Sequence, residues 1–327
     1  MDIDLLLDIC YSKEYVSLYQ NTNSELFEFR HQSGNDIFYN ISIKRPITHV
    51  GNCLLEETYY DLESAYGYGG FYTNSVDQKF IEESMSLYKK RCIEENIVAE
   101  FQRYHPFNTF AKENNSFFHF LKNDRNIAVI DLSLSKEDRW ASYSSNTRNI
   151  LRKCEKNLSV KLADSFEPFL ELYEETMSRH SAADFYYFTK EYYERLFRND
   201  NNILLDIFHN STLVSSGFFL FGNDLAYYHL SGNSFNDRKL NGNYLLIETA
   251  IEMAKEKKLK YFILGGGTSG AADDSLLKFK QRFSQITKPF YISGLIYIPE
   301  MYEKLIEIWN EQTKVENNIF LKYRLGV

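Results

Sequence analysis

The stretch from Leu225 to Gly270 reads LAYYHLSGNSFNDRKLNGNYLLIETAIEMAKEKKLKYFILGGGTSG and is the most informative part of the chain about its fold. Residues 225–230 and 260–264 are short apolar segments rich in aromatic and β-branched side chains, which predicts two buried strands. Residues 243–258 between them carry apolar side chains at helical spacing. The stretch therefore predicts a strand, a glycine-containing turn, a helix and a second strand.

The first half of the chain has the same order of elements. Residues 79–96 carry the apolar stripe of an amphipathic helix, residues 97–101 (IVAEF) predict a buried strand, and glycines cluster at Gly67–Gly70 as they do at Gly232–Gly242. Further strands are predicted at 36–43, 127–132, 203–208 and 213–221. The repeat predicts an α/β (α+β) fold of two tandem lobes, each a mixed, mainly antiparallel sheet flanked by helices.

This layout predicts domains at 1–145 and 146–299, and no low-complexity linker separates the two halves. Residues 300–327 look helical, and we expect them to return to the first lobe.

The composition is that of a globular protein, with 44% hydrophobic and 25% charged residues in a chain of 327. The sequence contains no run of about 18 apolar residues, so no membrane span is predicted, and the acidic N-terminus lacks the signal-peptide pattern. The four cysteines show no CxxC spacing, which favours reduced thiols in a cytoplasmic protein. The net charge of −8 disfavours DNA as a partner, except where a local basic face compensates.

Such a basic face lies on a predicted helix within Ser144–Lys161. Arg148, Arg152 and Lys156 follow one another at intervals of four residues, on a different side from the apolar residues. A polar side chain at 144, 145 or 146 can cap the start of this helix.

The cluster Gly265–Gly270 matches G-x-G-x-x-G literally. Only 57 residues follow it, too few for the doubly wound sheet of a dinucleotide-binding domain. A phosphate loop of the nucleotide-triphosphatase kind is excluded by Ala271-Ala272, where that motif has Lys and Ser or Thr. The glycines instead predict a strand end at which the backbone closely approaches a ligand or another segment.

Two cationic stretches are candidates for chemistry. Lys280 shares a helical face with apolar residues and is expected to lie partly inward, either as a structural salt-bridged lysine or as a stabiliser of an oxyanion. Arg238, Lys239 and Asn241–Asn243 precede a helix, where exposed amides bind phosphate; a plain surface turn with an Asn cap is the alternative.

Other candidate groups give weaker signals. No G-x-S-x-G motif or adjacent Cys and His identifies a nucleophile, and His180 with Asp184 is too small a set for a metal site, so none is predicted. Glu100 and His105 lie in a polar cluster directly after a predicted strand, where structural pairing is the default.

Six stretches, taken in order, resemble the Fem family and its GNAT-like relatives near envelope-polysaccharide genes. They are Tyr60–Leu62 with Tyr66–Gly70, Glu100–Pro106, Asn146–Lys153, Tyr228–Gly232, Leu264–Gly267 and Asp274–Phe283. The resemblance spans most of the chain and implies two GNAT-like lobes. Two features depart from the long members: the chain lacks a coiled-coil arm, and its Tyr-Gly-Tyr-Gly-Gly stretch looks more like the polysaccharide-associated branch.

The resemblance implies an N-acyltransferase with no tightly bound cofactor, using acyl-CoA or aminoacyl-tRNA as co-substrate. The implied acceptor is a small amine-bearing envelope precursor: an amino sugar, a nucleotide sugar or a muramyl peptide. Phe279 and Lys280 match the family's Phe-Lys pair and are the implied catalytic residues. Candidate proton acceptors are Glu100, His105 and His229. Candidate substrate and phosphate contacts are Arg148, Arg152, Arg238, Asn241, Gly242, Asn243, Tyr68, Gly69 and His229.

Two other classes of function stay open from the sequence. The basic helix and the 51 Tyr and Phe residues are also typical of a non-catalytic module that binds tRNA or glycans, with affinity for RNA falling steeply as salt rises. A dinucleotide-dependent enzyme is the third, and a titration with NAD would test it.

Overall fold

The structure is a computed structural model that describes residues 3–179, 186–271, 273–313 and 317–326. The backbone divides into two units, which are described separately below. Unit 1 comprises residues 1–124 and 289–327, and unit 2 comprises residues 125–288. None of the helices among the described residues is long and apolar enough to cross a bilayer.

Unit 1 is built on a sheet in which β2 lies between β1 and β3, and β5 follows β3 in parallel and pairs in turn with β12. Its strands are β1 (Glu25–Ser33), β2 (Asp36–Val50), β3 (Cys53–Glu63), β4 (Tyr72–Thr73), β5 (Ile97–Arg103) and β12 (Thr287–Ile296). Its helices are α1 (Lys13–Ser17), α2 (Gln78–Glu94), α3 (Phe110–Glu113) and α10 (Pro299–Gln312).

Two apolar clusters hold unit 1 together. One packs the buried side of α2, including Tyr88, against strand residues such as Phe38 and Ile97. The other packs Leu305 and Trp309 of α10 against Val98 of β5. Burying large aromatic side chains in this way supplies much of the stabilisation of such a core.

Unit 2 has the sheet order β6-β11-β10-β9-β8-β7. Its strands are β6 (Phe120–Asp131), β7 (Ser159–Leu162), β8 (Asn202–His209), β9 (Thr212–Phe221), β10 (Leu225–Asn233) and β11 (Tyr261–Gly265). Its helices are α4 (Lys136–Ser142), α5 (Ser145–Asn157), α6 (Glu167–Arg179), α7 (Lys190–Arg198), α8 (Gly242–Glu256) and α9 (Ser275–Lys280). One cluster that includes Leu151, Phe219, Ile251 and Phe262 forms its core.

The predicted repeat is present in the structure. In unit 1, β3, α2 and β5 form a strand–helix–parallel strand unit, and β10, α8 and β11 form the same arrangement in unit 2. Each unit has an antiparallel meander before this arrangement, so the fold is α/β with two tandem GNAT-like lobes.

The boundaries between the units differ from the predicted 145/146 and 299/300. Residues 128–131 of β6 pair with β11, and Arg139 of α4 donates a 2.5 Å hydrogen bond to Glu248 of α8, so both segments belong to unit 2. Ile292–Ile296 of β12 pair with β5, which places them in unit 1 with the C-terminal residues.

The helix predicted over 300–327 is shorter than expected. α10 ends at Gln312, and residues 317–326 contain a single 3-10 turn at Lys322–Arg324. The Asn317 side chain accepts a 2.8 Å hydrogen bond from the amide of Ile319, which offers the backbone an alternative to continuing a helix.

Candidate active site

A fork between two parallel strands is the main feature of unit 2. The pairing of β10 with β11 runs from Leu225–Tyr261 to Tyr227–Ile263 and ends there. Beyond this point β10 follows β9 as far as Asn233, while β11 follows β6. Because each strand continues with a different neighbour, their edges part and leave backbone groups facing the fork, where a ligand can use them.

The amino group of Lys280 lies at this fork. The residue is 8% exposed, and its Nζ donates a 2.8 Å hydrogen bond to the carbonyl of Gly266, the residue directly after β11. The same Nζ lies 5.9 Å from the ring centre of Tyr228, the residue directly after the last β10–β11 pair. The predicted inward orientation of Lys280 is therefore confirmed.

Burial lowers the pKa of Lys280 to about 7, because an ammonium group loses hydration inside the protein. The nearby Asp274 carboxylate acts in the opposite direction, and the Arg125 guanidinium lowers the pKa of Lys280 further. Near neutral pH, Lys280 thus exists as both ammonium and amine, an unusual state that is typical of functional lysines.

Phe279 joins the helix of Lys280 to the start of α8. Its ring contacts Tyr244 in the first turn of α8 edge-on at 5.3 Å, and also Phe283 at 5.7 Å. Arg282 donates a hydrogen bond to the hydroxyl of the same Tyr244. The Phe-Lys pair is therefore anchored beside the predicted phosphate contacts at residues 241–243.

The N-terminus of α8 has no side-chain cap. Asn241 adopts a left-handed conformation, with φ of 57°, and its side chain bonds backward to the carbonyl of Lys239 at 2.9 Å. Asn is one of the few residues other than Gly that adopts this conformation readily. The first-turn amides of this 15-residue helix, at Gly242 and Asn243, thus form a polarised end that favours an anion.

Arg238 lies just before this helix end. Its guanidinium packs over the ring of Phe235 at 4.0 Å and donates a 2.8 Å hydrogen bond to the Phe235 carbonyl. The Cys154 thiol of α5 supports the turn by donating to the carbonyl of Leu240 at 3.4 Å. Burial raises the pKa of Cys154 to about 11, so this thiol stays protonated and is a poor nucleophile.

The corresponding region of unit 1 is closed. Ser64 extends the β3–β5 pairing, because its amide donates to Phe101 at 3.1 Å and its hydroxyl accepts from the Arg103 amide at 2.9 Å. The N-terminus of α2 is capped by the carboxylate of Asp77, which accepts from the Lys79 amide at 2.9 Å. Among the described residues, the strands of unit 1 that correspond to β10 and β11 therefore stay paired at this point, and the corresponding helix α2 starts with an acidic cap.

His229 occupies a β-bulge in β10, next to Tyr228. Its Nε2 is hydrogen-bonded to the hydroxyl of Tyr192 on α7. Burial lowers the pKa of His229 to about 3, so its imidazole is neutral at physiological pH.

The other two candidate proton acceptors lie in the interior of unit 1. Glu100 is 0% exposed, burial raises its pKa, and its carboxylate is enclosed by neutral donors. These donors are Asn40, Ser42, Tyr88, Gln102 and Tyr297. His105 is also buried, and its Nδ1 accepts a 3.1 Å hydrogen bond from the Phe107 amide. Both side chains therefore have structural partners within unit 1.

The Tyr-Gly-Tyr-Gly-Gly stretch anchors the N-terminal segment in unit 1. The Gly69 carbonyl accepts from the hydroxyl of Tyr11 at 2.6 Å and from the His105 amide at 3.0 Å. A Cβ at Gly70, where φ is 92°, would lie 2.4 Å from the Tyr104 ring, so this position requires glycine. The Tyr68 ring packs edge-on against His105 at 5.5 Å.

The two arginines of the basic helix differ. The guanidinium of Arg148 is turned back onto the end of α4, where it donates to the carbonyls of Trp140, Ala141 and Tyr143. Arg152 is exposed and donates only a 3.3 Å hydrogen bond, to Asn149 on its own helix, among the contacts described for its side chain.

Two residues near Lys280 were not identified from the sequence. Asp274 is buried and caps α9, an arrangement that its position before an apolar helix could have indicated. Arg125 reaches the loop after β11 through a contact 142 residues away in sequence, for which the sequence holds no local signal.

His180 and Asp184 lie outside the described residues, and among the described ones no group of three or more potential ligand side chains is arranged to hold a metal ion.

Comparison with known proteins agrees with this geometry. Residues 141–280 match the family described as acetyltransferase (GNAT) domain. The structure is similar to a crystal structure of FemX, with a TM-score of 0.70 and 13% identity over 92% of this chain and 94% of that one. It is also similar to L-PGS from Bacillus licheniformis, with a TM-score of 0.52 and 12% identity over 87% and 88% of the two chains.

A third similar structure is the C-terminal domain of a protein described as a lysylphosphatidylglycerol synthetase from Agrobacterium fabrum. Its TM-score is 0.53, with 12% identity over 89% of this chain and 94% of that domain. No curated protein sequence matches the chain. At these identities the likeness establishes the fold, while the family match lies within unit 2 and supports an acyltransferase. The chain thus has a GNAT-like fold similar to that of FemX, and its residues 141–280 match the acetyltransferase (GNAT) domain family.

Proposed function

We propose that the protein is an N-acyltransferase that moves an acyl or aminoacyl group from acyl-CoA or aminoacyl-tRNA to an amine of a cell-envelope precursor. The observation that carries the proposal is the position of the Lys280 amino group at the β10–β11 fork, on a helix packed against the uncapped start of α8. The similarity to FemX and to a protein described as a lysylphosphatidylglycerol synthetase supports an acceptor of the envelope.

The donor is expected to bind in unit 2. Both acyl-CoA and aminoacyl-tRNA carry phosphate groups, and the amides of Gly242 and Asn243 with the Arg238 guanidinium offer hydrogen bonds and positive charge to such a group. The closed strands and the Asp77 cap of unit 1 provide no equivalent.

The proposed reaction needs no covalent intermediate on the enzyme. The acceptor amine attacks the donor carbonyl, a tetrahedral oxyanion forms, and the carbon–sulfur or carbon–oxygen bond to the donor breaks. The proton lost by the amine ends on the departing thiol or tRNA hydroxyl, so that atoms and charges balance. Holding the two substrates in line contributes up to roughly 7–11 kcal/mol in reactions of this kind.

We propose that Lys280 stabilises the oxyanion. An ammonium group has three N–H donors, and Gly266 accepts one of them. The remaining two can be directed into the fork, where low exposure strengthens a charge-assisted hydrogen bond. For the acceptor, we propose an amino sugar, a nucleotide sugar or a muramyl peptide.

Native mass spectrometry with acyl-CoAs and with a mixed aminoacyl-tRNA pool will identify the donor, and pairing that donor with candidate acceptors will reveal turnover. Lys280→Ala is expected to lower turnover by about two orders of magnitude, the loss that is typical when an enzyme loses one hydrogen-bond donor to its oxyanion. Lys278→Ala is the matched control, because Lys278 is exposed on the same helix. Binding without turnover for every acceptor would instead indicate a non-catalytic module, and normal turnover of folded Lys280→Ala would remove Lys280 from this role.

A further inference from the structure

The loop that follows β11 is held residue by residue by three charged side chains. Lys280 Nζ donates to the carbonyl of Gly266 at 2.8 Å, and Arg125 Nη1 donates to the carbonyl of Gly267 at 2.8 Å. The Asp274 carboxylate accepts from the Ser269 amide at 3.0 Å, the Ser269 hydroxyl at 3.1 Å and the Thr268 hydroxyl at 2.7 Å. Successive loop residues from 266 to 269 are thus fixed by charge-assisted hydrogen bonds.

The glycines of this loop are required by these side chains. A Cβ at Gly266 would lie 2.8 Å from Cδ of Arg125, and a Cβ at Gly267 would lie 2.3 Å from Oδ1 of Asp274. The glycine cluster therefore provides the close approach between backbone and charged side chains that the sequence pattern predicted in general form.

Asp274 connects this loop to the helix that carries Lys280. While one carboxylate oxygen binds the loop, Oδ1 accepts from the amides of Leu276 and Leu277 at 2.9 and 3.0 Å and caps α9. α9 has six residues, and Lys280 is its last. These hydrogen bonds hold the pKa of Asp274 well below its ordinary value, so the carboxylate stays charged.

The charged and titratable groups facing Lys280 come from three elements. Asp274 at the start of α9 favours the ammonium form, Arg125 of β6 disfavours it, and the Tyr228 ring of β10 lies 5.9 Å away. The two charges therefore act on Lys280 with opposite signs, while both residues bond the loop that receives its amino group.

We propose that Asp274 and Arg125 are positioning residues for Lys280: they fix the loop whose Gly266 carbonyl receives its amino group, and they place opposite charges beside it. This inference rests on the role proposed above for Lys280. If the two residues were purely structural, substituting them would change only the stability of the protein. If they position Lys280, the two substitutions must also shift the titration midpoint of Lys280, and in opposite directions.

The test is an NMR titration of the full chain with 13C-labelled lysine, in which the Lys280 signal is assigned by its absence from Lys280→Ala. Asp274→Asn removes a negative charge and is expected to lower the midpoint by about one pH unit, whereas Arg125→Met removes a positive charge and is expected to raise it by a similar amount. Asp273→Asn is the matched control, because Asp273 is exposed and adjacent to Asp274 in sequence.

Midpoints that stay in place, or that move the same way in Asp274→Asn and Arg125→Met, would overturn the inference. Asp274→Ser retains a good N-cap residue and serves if the Asn variant does not fold. Because the titration needs no substrate, its outcome is independent of turnover. Binding without turnover would refute the proposed function, a fully active Lys280→Ala would refute the role of Lys280 in it, and unmoved midpoints would refute only this inference.

Discussion

The proposed role of Lys280 predicts a specific dependence of rate on pH. The pKa of Lys280 lies at about 7, so the ammonium fraction falls from about nine-tenths at pH 6 to about one-tenth at pH 8. If the ammonium form stabilises the oxyanion, its contribution to kcat/KM should fall roughly tenfold over these two pH units. The parameter kcat/KM is the right one because it reports the ionisation of the free enzyme.

The acceptor amine must itself be neutral to attack, which gives a limb that rises with pH and masks the fall. Dividing the wild-type kcat/KM by that of Lys280→Ala at each pH removes this limb, since both proteins use the same acceptor. We expect the quotient to decrease about tenfold from pH 6 to pH 8. A quotient that increases with pH would refute oxyanion stabilisation and would show that the neutral amine accepts a proton instead.

Three further predictions concern stability and binding. Burial depresses the pKa of Lys280 in the folded protein to about 7 from an ordinary value of 10.5, so the wild-type protein loses stability as the pH falls from 10.5 to 7. Lys280→Met should therefore increase the free energy of unfolding, and in denaturant titrations this increase should be roughly 3 kcal/mol larger at pH 7 than at pH 9.5. An equal increase at both pH values would contradict burial as the cause. Gly267→Ala places a methyl group against the carboxylate that caps α9 and should lower the free energy of unfolding by about 1–3 kcal/mol. Gly326→Ala, where a Cβ would meet open space, should change it little. Similar thermal midpoints for the two variants would contradict the contact. Arg238→Met should raise the donor KM about tenfold with kcat little changed. Arg148→Met should lower the thermal midpoint and leave the donor KM unchanged. A donor KM that rises in Arg148→Met and not in Arg238→Met would show that the basic helix, not the α8 start, holds the donor.

Much of the fold could be predicted from the sequence because its signals are local. The helix predicted at 243–258 is observed at Gly242–Glu256, and the strand predicted at 97–101 is observed at Ile97–Arg103. In α8 the apolar spacing agrees with the side that the structure buries, whereas in β5 the residues from Ile97 to Glu100 are all buried, as a continuous apolar run predicts. The predicted cap of the basic helix is resolved to Ser144, whose hydroxyl accepts from the Thr147 amide at 3.1 Å.

The functional contacts were harder to predict because they depend on tertiary neighbours. Sequence spacing placed Arg148 on the polar side of its helix, yet nothing local shows that three carbonyls at the end of α4 would receive its guanidinium. The inward position of Lys280 followed from helical spacing, but its partner Gly266 is fixed by the way the loop after β11 folds back. The division between the units at 124/125 has no local signal for the same reason, since the pairing of β6 with β11 joins segments about 130 residues apart.

The two units show how one arrangement of elements can either open or close a ligand site. Both contain two parallel strands joined through a helix, and in both a glycine-rich segment precedes that helix. In unit 1 the first residue after β3 is Ser64, whose backbone and side chain continue the pairing, and an acidic cap neutralises the start of α2. In unit 2 the residue after the last pair is Tyr228, whose strand turns to its other neighbour through the bulge at His229, and the left-handed Asn241 leaves the start of α8 without a cap. Because a carboxylate cap and a bound phosphate would compete for the same amides, the uncapped start of α8 is better suited to a phosphate-bearing donor than the start of α2, which the Asp77 carboxylate caps.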